Sequence, residues 1–216
     1  MPDLSFKIEG AKVVPCAAIP TLVFQLQIAN AVAGEKIQTI ALRCQIQIEV
    51  ARRRYASQEQ ERLLDLFGPP DQWSRTLRTM LWTHAQAVVP SFSSASRAFD
   101  LQVPCTFDFN IATTKYFAGL AEGEIPLQML FSGMVFYSPA EGPLQVAPIS
   151  WEQEARFNLP VKLWREMMDT YYPDTVWINL RRDVFYRLYQ FKMQHGMPTW
   201  EQALEEVLLS EKAVSS

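Results

Sequence analysis

The sequence predicts an α+β protein: a mainly antiparallel β-sandwich of seven or eight strands over Leu4–Leu159, with two or three C-terminal helices packed on it. Three observations predict it. Ile40, Leu42, Cys44, Ile46, Ile48 and Val50 alternate with Ala41, Arg43, Gln45, Gln47 and Glu49, which puts one apolar face on a core and one polar face in water. Phe99, Leu101, Val103, Cys105, Phe107 and Phe109 repeat the pattern against Asp100, Gln102, Pro104, Thr106 and Asp108. From Pro160 onward the apolar period changes from two to that of a helix. The expected organisation is one domain, residues 1–216, with a sandwich body over 1–159 and a helical subdomain over 160–210.

In chain order, Leu4, Phe6 and Ile8 make a first strand that ends at Gly10, and Leu22, Phe24, Leu26 and Ile28 make a second. Asn30 to Glu35, with Gly34, offers a turn that pairs this strand with the Ile37–Val50 strand as a hairpin. Slipping the Ile37–Val50 strand by one residue would bury Arg43 and Glu49, so its register is strongly specified. Ser57-Gln58-Glu59-Gln60 has the form of a capping box and opens a short helix that Gly68-Pro69-Pro70 stops. Leu81–Val89 reads as a strand, Pro90–Ser96 as a Ser-rich loop, and Pro104 marks the Phe99–Phe109 strand as an edge or a bulge.

Ile111 to Ala121 is expected to be a helix with Tyr116, Phe117 and Leu120 inward, closed by Gly123. Ile125 to Tyr137 is apolar on both faces, so helices are expected on its second face, and Gly133 marks a bulge or a close backbone approach. Ile149, Trp151, Ala155, Phe157 and Leu159 share one parity and predict one or two more strands. Trp164, Met167, Met168 and Tyr171 then stripe a helix between Pro160 and Pro173. Leu180, Val184, Leu188 and Phe191 stripe a second helix, with Gly196 at its C′ position. Thr199-Trp200-Glu201-Gln202 is a capping box that opens a third.

A chain of 216 residues buries about 70% of its unfolded surface and holds a core without metal or disulfide. The net charge of −3 offers no basic footprint for nucleic acid. Arg52-Arg53-Arg54, the one basic triplet, reads as a solvated strand-end turn in preference to an anion site. Three cysteines without a C-x-x-C, no leader-like N-terminus and no run of the ~18 apolar residues a span requires predict a reduced, cytoplasmic protein that does not enter a membrane.

No P-loop, G-x-G-x-x-G or G-x-S-x-G is present, and the two histidines match no metal-ligand spacing with the cysteines, so no cofactor or metal is expected. One cluster stands out. Phe185 and Tyr189, with Arg181 one turn before, lie on a stripe beside the one that the helix needs for a core. These three are the candidate partner-binding residues. The alternative is a pocket between sandwich and helices where His84, Cys105 and Asp108 converge, in a small-ligand protein or an enzyme. A structural homo-oligomer is the third reading.

Arg43-Cys44-Gln45-Ile46, Glu61-Arg62-Leu63-Leu64-Asp65-Leu66-Phe67-Gly68, Leu81-Trp82-Thr83-His84 and Gly123-Glu124-Ile125-Pro126-Leu127 resemble an uncharacterised bacterial family. Val103-Pro104-Cys105-Thr106-Phe107-Asp108-Phe109, Trp164-Arg165-Glu166-Met167-Met168 and Gly196-Met197-Pro198-Thr199-Trp200-Glu201-Gln202 continue the match over almost the whole chain. The family has no assigned activity and no established functional residues. Its members are often encoded near actinobacterial-type nickel–iron hydrogenases, and the resemblance implies an accessory or maturation role. The function expected on these grounds is a non-catalytic protein-binding accessory module. Its expected partner is another protein, such as a hydrogenase or its maturation factors.

Overall fold

The computed structural model describes residues 2–106, 111–139, 142–175, 178 and 180–214, with 211–214 described as backbone. Each alternating segment has one greasy face, and the described residues lay eight such strands into two antiparallel sheets. One sheet takes β1 (Leu4–Val13), β2 (Thr21–Asn30) and β5 (Ser96–Pro104) in the order β1-β2-β5. The other takes β3 (Lys36–Ile48), β4 (Met80–Val89), β6 (Glu124–Ser138), β7 (Gln145–Pro148) and β8 (Glu154–Pro160). Its order is β4-β3-β6, with β8 along the first half of β6 and β7 along the second.

The strand expected to organise the fold does so. β3 pairs with β4 along one edge and β6 along the other, and Ile40, Leu42, Cys44, Ile46 and Ile48 are all buried. Each such side chain stabilises by about 1.5–3 kcal/mol relative to exposure. Phe24, Leu26 and Ile28 of β2 and Leu101 and Val103 of β5 enter the same core. Rings join the sheets: Phe6 stacks on Phe131 at 4.4 Å, and Phe24 meets Trp82 at 6.2 Å and Phe157 at 5.9 Å edge-on.

The expected hairpin between the second and third strands is not formed. β2 and β3 lie in different sheets, and residues 31–35 carry the chain across. Asn30 turns it out of the first sheet: its side-chain oxygen accepts the N–H groups of Asp3 at 3.0 Å and Val32 at 3.2 Å. The loop from β4 to β5 crosses beside it, tied by Asn30 N–H to the Ala95 carbonyl and by a two-way bridge between Ile37 and Phe92. Alternation says which face a strand buries and is silent about its neighbour. β1 also runs past Gly10, through a bulge between Ile8 and Gly10. β5 is an edge strand that ends on Pro104, and Phe107 and Phe109 lie outside the described residues.

Short helices α1 (Ser57–Arg62), α2 (Leu64–Phe67) and α3 (Trp73–Thr76) join β3 to β4. Helix α4 (Ile111–Gly119) leads into β6, and α5 (Val161–Tyr171) follows β8. Tyr116 and Phe117 of α4 are buried, as are Val161, Trp164, Met167 and Met168 of α5. Phe117 is the hub, edge-on to Trp82 at 5.0 Å and to Trp164 at 5.3 Å.

These elements belong to a compact unit, Met1–Asp174, and Thr175–Ser216 forms a second. The second holds α6 (Arg182–Gln194) and α7 (Trp200–Val214). Gly196 adopts φ +63°, and the N–H groups of Gly196 and Met197 return to the Met193 and Lys192 carbonyls in the C-terminal cap that the sequence predicts. Thr199 Oγ1 accepts the Gln202 N–H at 3.2 Å and opens α7.

Candidate functional site

The pocket alternative can be followed residue by residue. On β4 the register slips between Ile46 and Gln47, so Trp82 is an extra residue in the ladder. Trp82 and Thr83 are therefore both buried, while His84, Gln86 and Val88 point off the outer face. Trp82 and His84 share one parity in the sequence, and the bulge separates their faces. Cys105 is buried, its thiol donating to the Val103 carbonyl at 3.3 Å. It lines a cavity of about 10 Å³ with Trp82, Thr113, Phe117, Trp164 and Met168, room for one water at most. His84 does not line that cavity. Asp108 lies outside the described residues. Burial pushes the thiols of both Cys44 and Cys105 up to about 12, so neither supplies a thiolate nucleophile. Among the described residues no group of three or more His, Cys, Asp or Glu is placed to hold a metal ion.

A buried charge cluster lies at Arg53, where the sequence suggests a solvated turn. Its guanidinium donates to the carbonyls of Glu124 and Glu122, both at 2.6 Å, and to Glu59 Oε1 at 2.7 Å. Glu59 also accepts the Ala121 N–H at 2.7 Å and the Ala56 N–H at 3.1 Å. The helix start thus sits one residue earlier than the capping-box frame suggests, with Ala56 as N-cap and Glu59 at N3. Burial alone would raise the Glu59 carboxyl; the Ala121 and Ala56 N–H groups and Arg53 outweigh it and hold the group below the usual carboxylate range. Tyr55, under the guanidinium, donates to the Val50 carbonyl at 2.7 Å and lies 3.0 Å from the Tyr116 hydroxyl. Burial pushes the Tyr55 phenol up to about 12. With its η nitrogens engaged this way, Arg53 works as a clamp between the end of β3, the start of α1 and the entry to β6. Beside it a shallow groove of about 220 Å³ is lined by Arg52, Arg53, Glu124, Pro126 and Asn158.

The outer face of the five-stranded sheet has a different character. Val88 of β4 lies opposite Ala41 of β3, Ala41 opposite Met134 of β6, and Met134 opposite Pro148 of β7. These four residues form one apolar row across four strands, about 14 Å long at ordinary strand spacing. Val88 is 70% exposed and Met134 41%. The next row pairs Phe136 with Val146, which is 49% exposed. Helices were expected on this face of β6; Leu130 and Phe136 are half-buried and Met134 stays open. Trp151, 86% exposed, stands in the turn between β7 and β8 at the same edge. The sequence signal for the row is the two-sided apolarity of β6, which on sequence grounds is the mark of a strand covered on both faces.

The C-terminal candidates share one helix terminus and face. Arg181 is the exposed N-cap of α6 and bonds Asp183 at 3.2 Å. Phe185 and Tyr189 stack one turn apart at 6.4 Å, and Trp200 of α7 comes within 5.4 and 6.2 Å of them. Lys192 lies over the Trp200 ring at 5.7 Å.

Comparison with known proteins adds a family and two distant likenesses. The model of a family of unknown function, DUF6084, matches residues 1–216. No curated protein matches the chain. Among solved structures the chain is similar to a Bordetella pertussis protein described as ApaA, at 13% identity over 73% of this chain and 93% of that one, with a TM-score of 0.28. It is also similar to a protein described as late embryogenesis abundant, at 13% identity over 74% of this chain and 73% of that one, with a TM-score of 0.31.

Proposed function

Because the chain belongs to the family of unknown function DUF6084, we propose a role that draws on its own surface: a non-catalytic protein-binding accessory module. The observation that supports this most is the row Val88, Ala41, Met134 and Pro148 on the outer sheet face, with Trp151 at its edge. A sheet face in water is ordinarily polar, as Arg43 and Gln86 are on the adjoining row. Contiguous apolar side chains on an exposed face mark a contact surface, and an exposed Trp is a favoured anchor in one. The partner we assign is a nickel–iron hydrogenase or one of its maturation factors, on the strength of the resemblance in the sequence.

The test uses the full chain and purified hydrogenase with its maturation factors, with affinity read by interferometry. Val88→Glu combined with Met134→Glu should weaken capture at least about tenfold, as loss of a central contact does. Its circular dichroism should match that of the parent. No measurable binding by the parent to any of these proteins, or equal binding by the double variant, would overturn the proposal.

A further inference from the structure

The C-terminal unit carries two opposite surfaces that the proposed function leaves unused. Helix α6 carries Arg182, Arg187 and Lys192 against a single acid, Asp183. Over residues 200–210, α7 carries Glu201, Glu205 and Glu206 and no base. Each charge set borders its own apolar stripe. On α6, Tyr186 and Met193, seven residues apart and so on one face, are 57% and 60% exposed, with Arg182 one turn before Tyr186. On α7, Leu208 and Leu209 are 60% and 61% exposed and stand one turn beyond Glu205. Trp200 at the start of α7 packs on Phe185 and Tyr189, and Tyr186 and Met193 stay exposed beside that contact. Arg182 and Glu205 are both exposed, and neither has an ion-pair partner among the described residues.

We infer that this unit pairs two copies of the chain, Leu208 and Leu209 of each packing on Tyr186 of the other while Glu205 faces Arg182. A two-fold contact requires a surface that complements itself, and a basic apolar helix joined to an acidic apolar helix meets that requirement. The helices match in length, about 20 Å for α6 and 22 Å for α7. Two identical contacts form at once and the assembly closes at two copies. The pairing surface shares no residue with the sheet face assigned above, so either assignment can fail alone.

Sedimentation equilibrium of the full chain should return twice the 24.8 kDa chain mass. Arg182→Glu and Glu205→Arg should each weaken the dimer about tenfold by turning an attraction into a repulsion. The double reversal should restore it to near the parent value, a rescue that a misfolded variant cannot show. Leu208→Glu with Leu209→Glu should give a monomer that still binds whatever partner the sheet face binds. A parent chain that sediments as a monomer, or a dimer indifferent to both single reversals, would overturn the inference.

Discussion

Glu59 carries a carboxylate into the interior, with its side chain only 3% exposed, and Arg53, 8% exposed, comes with it. A buried pair of this kind is worth less than the cost of breaking it, because the survivor stays charged without a partner. Glu59→Gln should therefore cost about 3 kcal/mol in urea unfolding, and Glu59→Leu with Arg53→Met should cost less than either single change. The pH dependence has a definite sign. The folded carboxyl titrates below the unfolded one, near 4.3, so the unfolded state binds the extra proton and stability falls with falling pH. The contribution is complete above the unfolded value and is lost as pH drops through the lower folded one. The Glu59→Gln chain should show a shallower acid slope in that window than the parent, measured by urea midpoints at stepped pH. An identical slope would mean that other carboxylates set it. None of this was legible beforehand: Arg52, Arg53 and Arg54 are one residue type in a row, and only the fold says which of them is buried.

At the scale of an element, Gly133 is a position in the sheet with no room for a side chain. It sits in β6 with φ +135°, and a Cβ there would lie 2.0 Å from the Ala41 carbonyl oxygen of β3. The obstruction is backbone, so no rotamer relieves it. Gly133→Ala should cost about 3–5 kcal/mol, the sum of a forbidden backbone conformation and a parted strand pair, read as a lowered thermal midpoint. The sequence pointed to this position because a lone glycine interrupts an apolar strand. It also placed β1 to β4 and β6 within a few residues, since their parity is strong, but ran β5 past Pro104, where the strand ends. It misled where parity changes inside an element or where partners must be chosen. The bulge at Trp82 turned His84 outward, and Asn30 sent β3 to the opposite sheet.

For the molecule as a whole, the cysteines report whether both sheets share one fate. Cys16 is exposed, Cys44 lies at the middle of β3, and Cys105 lies just past β5. A thiol reagent should modify one cysteine in the native protein, and the other two should then react together, at the rate of unfolding. Earlier reaction of Cys105 would mean that the three-stranded sheet opens by itself. The layered architecture was readable because its period is a property of neighbouring residues. The outer sheet row was not, because whether Met134 and Phe136 are covered depends on elements far away in the chain.

The pairing of β3 with β4 on one edge and β6 on the other has a consequence during synthesis. When Ile48 emerges from the ribosome, neither neighbour has yet emerged, and the second is complete only at Ser138. At ordinary elongation speeds that leaves an oily ribbon with open edges for on the order of ten seconds. The cell must shield the nascent chain for that interval, and heavy overproduction without holdase chaperones should fill inclusion bodies even though the finished protein is sound.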